Sequence, residues 1–362
     1  NFDGTVIKTA TVFTYSGDTL TQSTTYRGDV TKALAATPLS ITNTKKSVTD
    51  YQGPEGEEKA LVTHNYNFDG TVIKTATVFT YSSDTLILST TYKNDVTKQA
   101  AIDSQRATSP IAITNIKKSV TDYQGPEGEE KALVTHNYNA LGTTIKTATV
   151  FIYDADTLSQ SITYRNDVTK QAALDSQKLV SPIAILNTKK SLTDYQGNEG
   201  EEKALVTHNF NFDGTLIKTA TVFTYTGDTL TQSTTYRGDV TELAAQNSQL
   251  LVNPVAITNV KRSITDYQGD EGEEKALVTH NFNFDGNLIK TATVFIYGTG
   301  ALSDTLSQSV TYRGDVTKLA AQNSQLTTNP IAITNAKRSV TDYTGPESEE
   351  KALVTHNYNF DG

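Results

Sequence analysis

The residues of this sequence best suited to chemistry are five histidines at matching positions. They are His64, His136, His208, His280 and His356, and each lies in an identical nonapeptide, Glu-Glu-Lys-Ala-Leu-Val-Thr-His-Asn. Imidazole binds transition metals and changes charge near neutral pH. Copies stacked in register would bring the histidines into a column that binds metal or responds to pH. Because no second ligand with useful spacing accompanies them, the sequence favours half-buried strand residues with hydrogen-bonded rings.

A second recurring motif, Arg-Gly-Asp, invites a receptor-binding interpretation. It occurs at Arg27–Asp29, Arg237–Asp239 and Arg313–Asp315, but the matching positions hold Lys-Asn-Asp at Lys93–Asp95 and Arg-Asn-Asp at Arg165–Asp167. Gly and Asn exchange where the backbone adopts a positive φ. A tight turn therefore explains all five copies, and we expect no receptor site.

Catalytic and cation-binding interpretations of the sequence are weak. The acidic turn at Pro54–Glu58 lacks the alternating oxygen ligands of a calcium loop, so we predict a solvated turn whose charge protects strand edges. Ser, His and Asp are present, but five equal copies of a catalytic site are rare in enzymes and no nucleophile elbow appears. We therefore expect no enzyme, no cofactor and no metal.

Composition points to a β-rich chain with little core. The 362 residues are 36% hydrophobic, which argues against one large central core, while abundant Thr, Val, Ile, Tyr and Phe suit pleated strands. The net charge is -9, and nucleic-acid binding would need clustered Lys and Arg. No apolar run is long enough to span a bilayer. The chain has no Cys and no Met, which excludes disulfides and leads us to expect a segment of a longer protein.

The whole chain repeats one unit five times. The corner Asn-Phe-Asp-Gly, or Asn-Ala-Leu-Gly at Asn139, recurs in steps of 66, 72, 72, 72 and 76 residues. We place five repeats at 1–66, 67–138, 139–210, 211–282 and 283–358, with the start of a further repeat at 359–362. Length differences fall between Val30 and Ile41 and between Tyr297 and Asp304, which predicts surface connections there.

Each unit is predicted to contain four strands and a crossover. In one copy the strands are Lys117–Tyr123, Lys131–Asn139, Thr143–Tyr153 and Thr157–Arg165, separated by turns with Gly or Asp. Asp167 followed by good helix formers predicts a helix of one or two turns with an aspartate cap. Pro182 ends it, and the run Pro182–Leu186 predicts a short edge strand. The fold class is therefore all-β, a tandem array of antiparallel β-meander repeats of about 72 residues with a short helical crossover.

Two corner segments resemble a known repeat family. Asn137–Gly142 and Tyr153–Leu158 are similar to the YD-type repeats of bacterial Rhs and related wall-associated proteins, which carry Tyr-Asp, two residues and Gly between short strands. The sequence departs from them in its period near 72 and in its Asn-Phe-Asp-Gly corners. The resemblance implies long β-sheet ribbons or shells in a long bacterial extracellular protein, and it implies no active site.

Three architectures fit five meander units. A stacked solenoid or filament suits a thin core per unit, because each unit then needs only its neighbours. A five-bladed β-propeller binding carbohydrate or protein at five equivalent sites is the alternative, although these units are longer than known propeller repeats. Separate beads would each be marginal alone. We expect a structural region forming a fibre, sheath or stalk at the cell surface or outside the cell, with neighbouring repeats or copies of itself as partners. Binding to a cell surface or glycan remains open.

Overall fold

The computed structural model describes residues 7, 9–37, 40–298, 305–326, 329–345 and 350–359. Within these ranges the chain forms twenty strands and five short helices. The strands are Thr9–Ser16 (β1), Thr19–Arg27 (β2), Lys45–Gln52 (β3), Lys59–Tyr66 (β4), Ile73–Ser82 (β5), Thr85–Lys93 (β6), Lys117–Gln124 (β7), Lys131–Tyr138 (β8), Ile145–Asp154 (β9), Thr157–Arg165 (β10), Lys189–Gln196 (β11), Lys203–Phe210 (β12), Ile217–Thr226 (β13), Thr229–Arg237 (β14), Lys261–Gln268 (β15), Lys275–Phe282 (β16), Ile289–Tyr297 (β17), Leu306–Arg313 (β18), Lys337–Thr344 (β19) and Lys351–Asn357 (β20). The helices are Lys32–Ala35 (α1), Lys98–Ser104 (α2), Lys170–Ser176 (α3), Glu242–Ser248 (α4) and Lys318–Ser324 (α5).

The strands form antiparallel meanders in two compact units, each of which contains more than one repeat. Unit 1 comprises residues 1–153 and 161–189, and unit 2 comprises residues 154–160 and 190–362. Strands β1 to β9 pair consecutively, and so do strands β11 to β20. The all-β class, the antiparallel meander with its helical crossover and the solenoid-like repetition are confirmed.

The strand ladders run through the repeat boundaries inside each unit. Val62 pairs with Val78 where the first repeat meets the second, and Val206 pairs with Val222 where the third meets the fourth. Propeller blades are separate four-stranded sheets, and beads are separate cores. Neither described ladder breaks at a repeat boundary in that way, so the stacked array describes both units best.

Cross-strand threonine pairs account for much of the threonine content. Hydroxyls of Thr49 and Thr63 lie 2.8 Å apart on neighbouring strands, and the pairs recur at Thr77–Thr91 and Thr121–Thr135. Strand side chains alternate between faces, so these threonines lie opposite the apolar face that carries Val62 and Val78. Paired hydroxyls and β-branched side chains stabilise the sheet without an apolar layer on this face.

Each hydrophobic core is shared by two consecutive repeats. The first core takes Leu61 and Val62 from the first repeat, while its other buried members, Ala76, Val78, Tyr92, Val96 and Ala101, belong to the second. Helix α2 packs against β4 of the preceding repeat, and α3, α4 and α5 pack in the same way on β8, β12 and β16. The repeat boundaries that we placed at the Asn-Phe-Asp-Gly corners therefore divide each packed core between two repeats.

A β-bulge lets two consecutive residues of β4 enter the core. Asp50 pairs with Val62 and Tyr51 with Ala60, so Leu61 is an extra residue without a partner of its own. Leu61 and Val62 are both 0% exposed. Simple alternation would have placed one of them on the opposite face. The bulge thus supplies a leucine that is among the largest fully buried side chains of the chain.

The crossover helix is capped by threonine and not by aspartate. Thr169 precedes α3 in an extended conformation, and its Oγ1 accepts a hydrogen bond from the Ala172 N–H at 3.2 Å. The predicted helix is confirmed, but its predicted Asp167 cap is wrong. A threonine directly before the helix satisfies the first-turn N–H, which leaves the aspartate free to serve another contact.

The predicted edge strand after the helix is also absent from the described residues. Pro182–Leu186 has no strand conformation. The Ile183 N–H instead donates to the Asp175 carbonyl at 2.9 Å, which folds the segment back onto α3. Ile183 is 60% and Leu186 is 96% exposed, whereas Ile185 between them is partly buried. Its counterparts Ile113, Ile257 and Ile333 pack against the cores, so this position of the run reaches the core without forming a strand.

The two length differences lie partly outside the described residues. The shorter first crossover contains α1 with four residues, whereas α2 has seven; residues 38 and 39 in it are not described. The insertion between Tyr297 and Asp304 falls largely on residues 299–304, outside the described ranges.

Candidate functional site at the repeat junction

Four of the five histidines lie at junctions between repeats. His64 on β4 is 7% exposed, and its Nε2 lies 2.9 Å from the Val96 carbonyl oxygen in the next repeat. Because a carbonyl only accepts, Nε2 carries the hydrogen and donates it. The same 2.9 Å contact joins His136 to Val168, His208 to Val240 and His280 to Val316. The structure therefore contains the predicted hydrogen-bonded strand histidine, and these four rings are buried where the sequence predicted half-burial.

Two carboxylates flank each junction histidine, one at each ring nitrogen. Asp95 Oδ1 lies 3.2 Å from His64 Nε2, and Asp50 Oδ2 lies 3.7 Å from His64 Nδ1. Asp50 comes from the neighbouring strand β3, two residues along the same face from Val48, which pairs with His64. Asp95 comes from the turn after β6 of the next repeat. The other three junctions repeat both contacts.

The Arg-Gly-Asp motif belongs to this junction. The central Gly28, Gly238 and Gly314 have φ of 74°, 74° and 73°, and the central Asn94 and Asn166 have 61° and 64°. The turn interpretation, with Gly and Asn exchanging at positive φ, is confirmed. In four copies the following aspartate contacts the histidine of the preceding repeat. The motif thus positions a carboxylate for the junction.

The geometry does not gather the histidines into a metal-binding column. His64 on β4 and His136 on β8 are four ladder steps apart, about 19 Å at the usual strand spacing. At a single junction the two carboxylates lie on opposite sides of one ring, where no ion reaches both. Among the described residues, no group of three or more His, Asp or Glu side chains is arranged to hold a metal ion. The fifth histidine, His356, lies on β20 and is exposed.

The acidic turn does more than remain solvated. Glu58, the last residue of Pro54–Glu58, accepts a hydrogen bond from the Leu20 N–H at 2.9 Å and another from the Gly56 N–H at 3.0 Å. Leu20 is on β2, two strands from β4, so the carboxylate links the turn to the neighbouring hairpin. The same link joins Glu130 to Leu86 at 2.8 Å. The predicted solvated side chain is found at the exposed Glu57, but the prediction is wrong for Glu58 and its counterparts, whose carboxylates accept backbone hydrogen bonds.

Backbone donors lower the pKa of these carboxyls. The Leu86 N–H holds the pKa of Glu130 below its usual value, and the Leu20 N–H does the same for the pKa of Glu58. Because the folded pKa lies below the unfolded one, the stabilisation is complete above about pH 4.3 and is lost as pH falls through the folded pKa.

Glu130→Gln should therefore flatten the acid dependence of stability. We expect the urea midpoint of the unsubstituted chain to fall between about pH 5 and pH 3, and the Glu130→Gln chain to fall by less, because it has no carboxyl to protonate there. The control is Glu129→Gln, since Glu129 is exposed in the same turn. Equal flattening by both substitutions would contradict the role assigned to Glu130.

A shallow polar recess recurs beside the acidic turn. Around Tyr225 it has a volume of about 340 Å³ and is lined by Gln196, Asn198, Glu201 and Lys203 among others. The Lys203 ammonium lies 5.7 Å from the Tyr225 ring centre and pairs with Asp228, and the Tyr225 hydroxyl donates to the Ala204 carbonyl. Burial raises the pKa of Tyr225 above its ordinary value, so its hydroxyl stays protonated. These contacts fix the hairpin and contain no nucleophile or ligand set.

Sequence reasoning missed the carboxylate partners of the histidines. A signal existed: the contacted valine follows its histidine by 32 residues in three junctions and by 36 in the fourth, where the repeat is longer. An aspartate precedes that valine every time. Fixed pairing of His with Asp-Val across a repeat boundary is the pattern that identifies the junction.

Comparison with known proteins assigns no family. No family model and no curated protein matches the chain. The solved structure of TcdB2-TccC3-TEV matches over 96% of this chain and 15% of that chain, at 11% identity and a TM-score of 0.28. A porin-like protein from Bacteroides uniformis ATCC 8492 matches over 86% of this chain and 95% of its own, at 8% identity and a TM-score of 0.16. This chain thus spans about 15% of the TcdB2-TccC3-TEV chain and resembles it only loosely.

Proposed function

We propose that this chain is a structural repeat region of a long extracellular or cell-surface protein that forms a fibre, sheath or stalk. The observation that carries the proposal is the shared core. Leu61 and Val62 of one repeat are buried under a strand and a helix of the next. A repeat that needs its neighbour for a core is suited to an extended array, in which repeat number sets length.

The polar contacts of the junction support the same role. Each of the four histidines hydrogen-bonds a carbonyl of the next repeat, and its ring lies between two carboxylates. Such contacts fix the register between repeats, because a buried donor left without its acceptor costs about 1–3 kcal/mol. A structural array needs that fixed register.

The partners of the proposed array are neighbouring repeats or copies of itself. A cell surface or glycan that adheres along its flank is a further partner class. The net charge of -9 disfavours nucleic acid. The extracellular location rests on the resemblance of the corner segments to YD/Rhs-type repeats of long bacterial proteins. Catalysis is not proposed, because the repeated polar groups are engaged in structural contacts.

No helix in the described part of the chain has the length and apolar character needed to cross a membrane.

Lengthening the chain tests the proposed function. One or two extra copies of residues 139–210 are inserted after residue 210, which preserves every existing junction type. We expect the maximum dimension from X-ray scattering to grow by about 19 Å per copy, four strand spacings each. A five-bladed ring forced to accept extra units would grow far less, and flexibly linked beads would give the scattering of a disordered chain. Either outcome would overturn the proposal.

A further inference from the structure

Two shallow recesses lie at equivalent positions of successive repeats, each beside an acidic turn. The lining of the first includes Gln196, Asn198, Glu201, Lys203 and Tyr225. The lining of the second includes their counterparts Gln268, Asp270, Glu273, Lys275 and Tyr297. Their volumes are about 340 and 280 Å³, near the lower end of the range for pockets that hold small ligands. Each recess therefore has room for one small ligand or for a short stretch of a longer one.

The charge of the two recesses disfavours an anion. Each lining contains one lysine and two acidic residues, namely Lys203 with Glu201 and Asp228, and Lys275 with Asp270 and Glu273. A phosphate, a sulfate or an acidic sugar would therefore meet a lining of net negative charge. In the part of the chain that the structure describes, no group of three His, Asp or Glu side chains is placed to hold a metal ion. An uncharged polar ligand fits this lining best.

The recesses offer no place for an added peptide strand. Lys203 lies on β12 and Tyr225 on β13, and both strands are paired on each side. The same is true of β16 and β17, which carry Lys275 and Tyr297. A peptide that binds as an extra strand needs an unpaired strand edge. Recognition in these recesses therefore depends on the side chains that line them.

The side chains of the first recess combine planar polar groups with an aromatic ring. Within the described residues, no hydrogen bond engages the side chains of Gln196, Asn198 and Glu201. Amides and carboxylates each present two polar atoms, which suits two neighbouring hydroxyls of one sugar ring. The Tyr225 ring is fixed by its hydroxyl, which donates to the Ala204 carbonyl at 3.1 Å, and it supplies apolar surface for the sugar C–H groups. This combination matches a sugar, which has both hydroxyl and C–H surfaces.

We propose that the two recesses bind a neutral glycan, with a short stretch of its sugar units in each recess. The inference rests on the proposed function, in which a glycan adheres along the flank of the array, and it names the glycan class and the place of binding. Strands β13 and β17 are four ladder steps apart, about 19 Å at the usual strand spacing. A glycan that spans both recesses binds more tightly than a short one, because its second contact is intramolecular.

Asn198 and Asp270 distinguish these two recesses from the first two copies of the acidic turn. Proline stands at the matching positions, Pro54 and Pro126. The turn itself is the same, since the Glu201 N–H donates to the Asn198 carbonyl at 2.9 Å and the Glu57 N–H donates to the Pro54 carbonyl at 3.0 Å. Proline has no side-chain polar group for a ligand. The two proline turns therefore provide matched controls in the same chain.

Calorimetric titration of the full chain with neutral oligosaccharides tests the proposal. The probes are cellohexaose, chitohexaose and mannohexaose, and we expect at least one of them to bind below about 10 mM. An acidic oligosaccharide, hexagalacturonate, and a basic peptide, tetralysine, should bind more weakly than that probe. The proposal is overturned if none of the three neutral probes binds, or if hexagalacturonate or tetralysine binds more tightly.

Paired substitutions locate the binding. Gln196→Ala together with Gln268→Ala should weaken the neutral glycan about tenfold, because each recess loses an amide and its hydrogen bonds. Gln52→Ala together with Gln124→Ala is the matched control at the proline turns and should keep the affinity within about twofold. Asn198→Pro together with Asp270→Pro is a second test, which introduces the residue that the other turns already contain and should also weaken binding. Equal affinities of the two glutamine variants would contradict binding in these recesses.

The outcomes separate this inference from the proposed function. A chain that lengthens by about 19 Å per inserted repeat but binds none of the neutral probes retains the structural function and loses the glycan site. A chain that binds a neutral probe, with the predicted loss in the Gln196→Ala and Gln268→Ala variant, but does not lengthen retains the glycan site and loses the structural function.

Discussion

Replacing Leu205 by alanine should lower the free energy of unfolding by about 2–5 kcal/mol. Leu205 is 0% exposed and packs with Val206, Ala220 and Tyr236 in a core drawn from two repeats. The substitution leaves a cavity that the surrounding strands fill only partly, so lost transfer energy and lost packing add together. Urea unfolding followed by circular dichroism measures the change.

The chain contains its own control for that substitution. Leu353 occupies the same position of an identical nonapeptide but is 68% exposed. Leu353→Ala should therefore change the free energy of unfolding by no more than about 0.5 kcal/mol when measured on the monomer. Equal losses in the two variants would contradict a core completed by the next repeat, because sequence and local strand are the same in both.

Replacing His208 by leucine should cost about 1–3 kcal/mol. The His208 Nε2–H donates to the Val240 carbonyl at 2.9 Å inside the junction. Leucine is similar in size and keeps the packing, but it leaves that carbonyl and the Asp194 carboxylate without the ring. Urea unfolding again gives the loss, and nitrogen NMR of the unsubstituted protein should place the hydrogen on Nε2.

His356→Leu is the matched control for the histidine. His356 lies on the exposed strand β20, so its replacement should leave monomer stability within about 0.5 kcal/mol. A loss at His356 as large as that at His208 would show that the histidine acts within its own strand and not across the junction.

Most of the strand framework follows from the sequence. The predicted strands Lys117–Tyr123 and Thr157–Arg165 agree with β7 and β10 to within one residue. Thr, Val and Tyr alternate with a period of two between turns that contain Gly or Asp. This pattern depends only on neighbouring residues, and the strands form where it predicts them. The helix was also predicted, from Asp167 and the good helix formers that follow it, although Thr169 is the residue that caps it.

The bulge and the edge segment escaped prediction for a physical reason. Leu61 and Val62 face the core together only because Asp50 and Tyr51 pair around an extra residue. That register depends on the neighbouring strand, so the alternation of residues within β4 alone does not reveal it. Pro182–Leu186 is apolar enough for a strand, but the chain turns back onto α3 and offers it no partner.

The junction contacts are set by packing between repeats. His64 meets Val96, 32 residues later in the next repeat, together with the adjacent Asp95. Glu58 reaches Leu20 two strands away within its own repeat. The sequence of one repeat, considered by itself, predicts a solvated glutamate and a histidine without carboxylate partners. The partners of the histidine become evident once the end of one repeat is placed against the start of the next, and the partner of the glutamate becomes evident once the strands of its own repeat are paired.

Hydrogen exchange of the five identical nonapeptides tests the shared junction most directly. Their intrinsic exchange rates are equal, and peptides that extend into the differing flanking residues tell the copies apart. At a concentration where the chain is monomeric, we expect slow exchange at β4, β8, β12 and β16, each paired on both sides, and fast exchange at β20. Equal exchange in all five copies would show that a repeat is completed without its neighbour, or that β20 is covered within the same molecule, and would contradict the junction as the unit of this fold.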